Sequence, residues 1–135
     1  MEFELRIQSR DEFYPTYAKW LEQHSFPIIS KVWMPEKAFV SYKDNIPTHV
    51  CWFFETDSCL CLIGFPASDK ELDSEFKKGG LEFVFSEMIE YAKANHYVSI
   101  STYSHPLRQT IVDALIENEF FIADENVINL IKILQ

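Results

Sequence analysis

Two strand-like stretches joined by one long amphipathic helix constrain this chain most. Leu81, Val84, Phe85, Met88, Ile89 and Ala92 fall at i, i+3, i+4, i+7, i+8 and i+11, a single apolar stripe with helical period. Before it lies "CLCLIGF" (59–65), which has no polar side chain and so reads as a strand covered on both faces. After it lies "YVSISTY" (97–103), with Asn95 placed to cap the end of the helix. A helix of this length returns the chain to the end of the sheet it left. The two strands are therefore expected to be parallel.

The remaining pattern adds antiparallel strands and two further helices. "FELRI" alternates Phe3, Leu5 and Ile7, as a strand does. In "YPTYAKWLEQH", Tyr14, Tyr17, Ala18 and Leu21 share one helical face, and Pro15 is tolerated in the first turn. Pro27 and Pro35 restrict the next stretch to turns or a short helix. "AFVSY" and "THVCWFFE" are strands joined by the turn "KDNIP", the second placing Val50, Trp52 and Phe54 opposite Cys51 and Phe53. "TDS" then connects as a hairpin. Beyond residue 103, Pro106 suits the first turn of a helix capped by Ser104 or His105. Leu107, Ile111, Ala114 and Leu115 form its stripe and Asn118 its end. "EFFIA" and "VINLIKIL" read as two last strands around the turn "DEN". The expectation is one α/β domain over residues 1–135. Its sheet is mixed and mostly antiparallel, of about seven strands with two central parallel ones and helices on both faces.

Composition narrows the function classes. With 47% hydrophobic and 16% aromatic residues, 135 residues can build a sizeable core, so a disordered chain is excluded. The net charge of −9 argues against broad binding to nucleic acid or an anionic membrane. The charged, alternating N-terminus has no apolar run of signal-peptide length, and no stretch is long enough to span a bilayer. A cytoplasmic protein is expected. Cys51, Cys59 and Cys61 lack C-x-x-C spacing and read as buried sheet thiols. The four histidines, His24, His49, His96 and His105, show no ligand-like spacing, so no metal site is expected.

"FKKGGLEFVFSEM" (76–88) is the stretch with chemistry in it. Glycines ahead of a helix let backbone N–H groups approach an anion, and the helix dipole and lysines add to the attraction. Glu82 in the first turn opposes it. The lysines also read as ordinary solvated residues after an acidic stretch.

The element order resembles the GNAT superfamily of acyl-coenzyme-A-dependent N-acetyltransferases over essentially the whole chain. Two local matches support the likeness. Lys77, Lys78, Gly79, Gly80, Leu81 and Glu82 occupy the six places of the family's motif at the start of its third helix. "YSHPLRQTIVDALIENEFF" is similar to the family's last strand-helix unit, with Phe120 as its aromatic and Glu119 where Gly is usual. The stretch "CWFFETDSCLCLIGFPASDKELDSEFKKGG" (51–80), with its long loop between Pro66 and Lys77, also looks like small GNAT-like proteins of tailed phages.

The resemblance implies acetyl-CoA or CoA as cofactor. The pantetheine would bond the backbone of Ile63, Gly64 and Phe65, and the pyrophosphate would lie on the N–H groups around Gly79, Gly80 and Leu81 beside Lys77 and Lys78. It implies acetyl transfer to a small-molecule or peptide amine. The alternative is a catalytically degenerate binding or structural module, phage-encoded and placed in the host cytoplasm or the virion. The departures are Glu82, the long loop, the missing carboxylate on the fourth strand, and Leu115 where the family carries its catalytic Tyr. Substitutes are Glu55 as a base through water, and Tyr103, Ser104 and His105 at the carboxyl end of the fifth strand. Each has a plainer reading: Glu55 as a solvated turn residue, Ser104 or His105 as a helix cap, and Trp20, Trp33 and Trp52 as core. "VINLIKIL" offers an edge for a homodimer or a protein partner.

Overall fold

The computed structural model of the chain describes residues 2–105 and 107–134. The chain opens with β1 (Glu4–Ser9), α1 (Arg10–Gln23), a 3-10 turn at Lys31–Trp33, β2 (Lys37–Lys43), β3 (Ile46–Phe54) and β4 (Leu60–Ser68). It continues with the one-turn α2 (Ser74–Lys77), then α3 (Gly80–Ala94), β5 (Ser99–Ser101) and α4 (Gln109–Glu117). One sheet forms in the order β1-β2-β3-β4-β5. The first four strands pair antiparallel, and β5 joins β4 in parallel. The crossover helix thus does what its position between two strands requires.

Alternation along β2 and β3 divides the core into two layers. Phe39, Cys51, Phe53, Cys61 and Ile63 meet Leu81, Val84, Phe85, Met88 and Ala92 of α3 and Ala114 and Leu115 of α4. On the other face Val40, Val50, Trp52 and Ala67 meet Phe13, Tyr17, Trp20 and Leu21 of α1. Ile89, expected in the buried stripe, is only half-buried at the edge of α3. Trp20 and Trp52 are core, whereas Trp33 is 44% exposed.

The sheet has five strands among the described residues, not the expected seven, and the parallel pair β4–β5 lies at its edge rather than its centre, which leaves Leu60 and Leu62 of β4 exposed. "EFFIA" and "VINLIKIL" form no strand. Alternation reports which faces a strand could bury, not whether a partner exists. β5 offers only the short edge Ser99–Ser101. The few ladder bonds it allows do not offset the backbone entropy of ordering a further strand, about 1–2 kcal/mol per residue. Phe121, Ile128, Leu130 and Leu134 accordingly stay exposed.

Two helix starts also moved. α1 begins at Arg10 because Ser9 and Glu12 form a reciprocal capping box, each accepting at 3.1 Å from the other's backbone N–H. The S-x-x-E signal for it is present in "SRDE". α4 begins only at Gln109, without a side-chain cap. The helix start expected at Pro106 lies outside the described residues. Among the described residues, no helix is long and apolar enough to cross a membrane.

Candidate functional site

The site begins where β4 and β5 part. Their pairing ends at Leu62↔Ser101, while β4 continues to Ser68. Toward β3, Trp52 faces Gly64 but Val50 faces Ala67, so Phe65 and Pro66 together oppose Cys51. This is a β-bulge, and it suits Pro66, which has no N–H to give to a ladder. The left-handed backbone of the bulge falls on Phe65 (φ 55) and not on its neighbour Gly64. A Cβ on Gly64 would meet nothing within 4 Å. The buried Tyr17 of α1 pins the bulge by donating its hydroxyl to the Phe65 carbonyl at 3.1 Å. Burial raises the pKa of that phenol, so it stays a donor. Sequence reading took Tyr17 only as core.

Beyond the bulge, an open groove of about 610 Å³ runs along Pro66–Ser68, the α2–α3 junction and the start of α4. Asp73 caps α2 by accepting from the Glu75 N–H at 2.9 Å. Lys78 then breaks the helix with extended backbone, and Gly79 turns left-handed (φ 86) as the N-cap of α3. Gly79 has no side chain to cap with, and the first intrahelical bond is Phe83 N–H to the Gly79 carbonyl at 3.0 Å. The N–H groups of Gly80, Leu81 and Glu82 are therefore left without intrahelical acceptors, next to the groove.

Each glycine also has a reason internal to the fold. Gly79 supplies the positive φ. Gly80 supplies close approach, since a Cβ there would lie 2.4 Å from His49 Nδ1 and 3.1 Å from Phe3 Cε1. Phe3 in turn stacks on Phe83 at 5.8 Å and holds the helix start down.

Lys77, Lys78, Gly79 and Leu81 line the groove together, as does the exposed Glu82. Lys77 folds back, donating to the Asp69 carbonyl at 2.7 Å. Lys78 makes no hydrogen bond or ion pair among the described residues. The opposite wall was not foreseen. His24 stacks on Phe26 at 5.1 Å, and the guanidinium of Arg108 lies over the other partner of that stack, the Phe26 ring, at 5.0 Å. His24 is held by the Ser68 carbonyl, 3.0 Å from its Nε2. His49 lies at the groove floor, where burial first and the nearby Lys77 second lower its pKa to about 4. Lys77, Lys78 and Arg108 thus gather beside the start of α3 on a chain of net charge −9, an arrangement able to attract an anion.

The other residues singled out from sequence lie elsewhere. Ile63 is buried in the α3 layer, so only its backbone is offered to the gap between β4 and β5. Glu55 directly follows β3, at the end of the sheet away from the groove, in an ion pair and hydrogen bond with Lys37. Tyr103 is 76% exposed and does not line the groove. His105 accepts from the Leu107 N–H at 3.1 Å and shapes the turn before α4. Leu115 is buried in the core. Cys51 and Cys61 are buried thiols whose pKa values burial pushes up, Cys51 to about 12, whereas Cys59 is exposed.

The sequence matches no family profile and no curated protein. Solved structures are similar in fold. An N-acetyltransferase from Staphylococcus aureus Mu50 superposes with TM-score 0.70 at 12% identity, over 92% of this chain and 86% of that one. An acetyltransferase of the GNAT family from Streptococcus pneumoniae gives TM-score 0.67 at 10% identity, over 91% and 87%. An aminoglycoside acetyltransferase from an uncultured soil metagenomic sample, solved with sisomicin, gives 0.65 at 12% identity, over 98% and 97%. The bulged fourth strand, its parting from the fifth and the glycine-led third helix thus belong to a chain with the GNAT acetyltransferase fold.

Proposed function

We propose that the chain binds acetyl-coenzyme A or coenzyme A along this groove and transfers the acetyl group to an amine. One observation carries the reading: the bulged end of β4, past its last pairing with β5, leads into a cation-lined groove beside the N-terminus of α3. The backbone of Ile63, Gly64 and Phe65 would take the pantetheine amides. Gly79, Gly80, Leu81, Lys77 and Lys78 would take the pyrophosphate, with Arg108 within the same groove. The bound thioester would supply an activated acyl carbon. The protein would supply position, worth roughly 7–11 kcal/mol at best.

The amine class follows from the donors that are missing. β4 carries no carboxylate, Glu55 is committed to Lys37, and Leu115 has no proton to give. Acid–base help of the usual kind, about 10²–10⁴ in rate, is therefore not built in. The acceptor would be an amine already neutral near working pH, on a small molecule or a peptide. The same three features, with Glu82, favour a second reading, a cofactor-binding or structural module without turnover.

Thermal unfolding with and without coenzyme A tests binding, and release of free thiol from acetyl-coenzyme A with a panel of amines tests turnover. A melting shift with thiol release supports the enzyme. A shift without release for any amine leaves the binding module. No shift at millimolar ligand removes both.

A further inference from the structure

His49 is a groove residue that the reading above does not use. It projects from β3 beneath the first turn of α3, and the missing side chain of Gly80 gives its ring room, a Cβ there lying 2.4 Å from Nδ1. Its Nδ1 is held by the Thr48 hydroxyl at 3.1 Å. The buried Thr48 and Ser41 hydroxyls pair at 2.7 Å, and the Ser41 hydroxyl also accepts from the His49 backbone N–H at 3.1 Å. Nε2 is the ring nitrogen without a partner among the described residues.

This network is compatible with a charged ring. Nδ1–H donates to Thr48 Oγ1, the Ser41 hydroxyl donates to the same oxygen, and the Thr48 hydroxyl donates to the Ser41 carbonyl at 3.3 Å. Nε2–H is then left for a ligand. The charged groups lining the groove around it are Lys77 from α2, Lys78 from the junction, Glu82 from α3 and Arg108 just before α4, with His24 just after α1. In the free protein, burial and the Lys77 ammonium keep the ring neutral. An anion lying on the N–H groups of α3 reverses that balance.

We propose that His49 is a proton-linked ligand of the phosphate-bearing molecule in this groove, binding it through Nε2–H in the protonated form. The proposal rests on the phosphate ligand of the reading above, but not on acyl transfer. It assigns a role to a residue outside the glycine–lysine segment and predicts proton uptake on binding. If the bound ring titrates near the ordinary histidine value of about 6.5, affinity is about tenfold higher at pH 5.5 than at pH 7.5.

The experiment uses the full chain and two probes, dephospho-coenzyme A and inorganic pyrophosphate. The dephospho form is chosen because a terminal phosphate monoester itself titrates near pH 6. Imidazole NMR signals of the parent are followed against pH with and without each probe, which separates His49 from His24. Calorimetry of dephospho-coenzyme A binding in buffers of different ionisation enthalpy counts protons taken up; inorganic pyrophosphate, which itself titrates in this range, is read by the His49 NMR signal alone. His49→Gln, which keeps a neutral polar side chain, is measured in parallel, and its fold is checked by its NMR spectrum. The expected result is an upward move of the His49 titration with ligand, proton uptake, and a pH dependence of affinity that His49→Gln flattens. If pyrophosphate moves His49 and the coenzyme does not bind, the anion ligand stands and the coenzyme reading falls. If the coenzyme binds without moving His49, or His49→Gln keeps the pH dependence, the proposal is overturned while the coenzyme reading stands. If neither probe moves the His49 signal, the proposal is likewise overturned.

Discussion

Gly80 and Glu82 stand two residues apart at one helix start and answer to opposite demands. Gly80 is held by its neighbours. A methyl group there would press on His49, whose ring cannot retreat far because Thr48 holds it. Gly80→Ala should therefore cost about 1–3 kcal/mol, although Ala is intrinsically the better helix residue. His49→Ala in the same chain should return most of that loss, and a double-mutant cycle by urea unfolding measures the coupling. Additive effects would mean that the contact is soft. The Glu82 side chain makes no hydrogen bond or ion pair among the described residues, and the helix dipole is what favours it. Glu82→Ala should lower the stability of the free protein by at most about 0.3–1 kcal/mol and tighten coenzyme A binding. Paired melting curves check both signs. At about 100 times its dissociation constant, ligand should add roughly 2.7 kcal/mol to either form. Tightening absent, or reversed, means that Glu82 does not face the phosphates. His49 also predicts an acid sensitivity in the free protein. Its folded pKa is about 4 against 6.5 for a free histidine, so the unfolded chain binds more protons between those values. Its contribution is fully present above pH 6.5 and is lost as pH falls toward 4. His49→Gln should flatten stability across that window relative to the parent, and equal slopes would show that the ring is not buried as described.

The three long helices end in one way. Ser25, His96 and Glu119 are left-handed, with φ of 57, 68 and 69. In each case the next residue, Phe26, Tyr97 or Phe120, bonds back to the carbonyl of Leu21, Ala92 or Leu115 at 2.9, 3.0 and 3.0 Å. This is the Schellman arrangement, made without the glycine that usually fills it. The sequence carries its trace in "HSF", "NHY" and "NEF", a polar left-handed residue followed by an aromatic that folds back. Replacing Glu119 with Gly should stabilise α4 by about 0.4–1 kcal/mol, because the strain at positive φ exceeds the extra chain entropy of Gly. His96→Gly should behave likewise at the end of α3. Thermal melts of the single variants check both. A loss in either would mean that the side chain contributes more there than the backbone strain costs. Phe26 shows how such an end reaches the site, since the fold-back that closes α1 is also what presents its ring to His24 and Arg108.

Across the whole molecule, what the sequence showed was what local pattern can encode. The stripe of α3 between two strand-like runs dictated the parallel pair, and alternation along β3 sorted Cys51 and Phe53 from Val50 and Trp52 correctly. The last two strands were misread because "VINLIKIL" has strand periodicity but β5 gives it only three residues to pair with. The groove was half legible. Lys77 to Leu81 are contiguous and patterned, whereas the pair His24 and Phe26, His49, and Arg108 come from three separate segments and each looks ordinary in its own. Charge shows the same split between local and global. The chain carries −9 overall, yet its groove gathers Lys77, Lys78 and Arg108 against a lone carboxylate, Glu82. A polyanionic ligand is thus repelled by the molecule and attracted by the site, and the two fields differ in reach. At about 0.01 M salt the Debye length is roughly 30 Å, so the whole negative surface acts on an approaching ligand. At about 0.15 M it is roughly 8 Å, which leaves the groove cations but mutes the rest. At 1 M it is roughly 3 Å, and the groove is screened as well. Coenzyme A affinity should therefore be greatest at intermediate salt, and calorimetric titration at these three ionic strengths measures it. A monotonic loss from the lowest salt upward would show that the groove cations outweigh the rest of the surface at every distance. No salt dependence at all would show that Lys78 and Arg108 do not touch the ligand's phosphates.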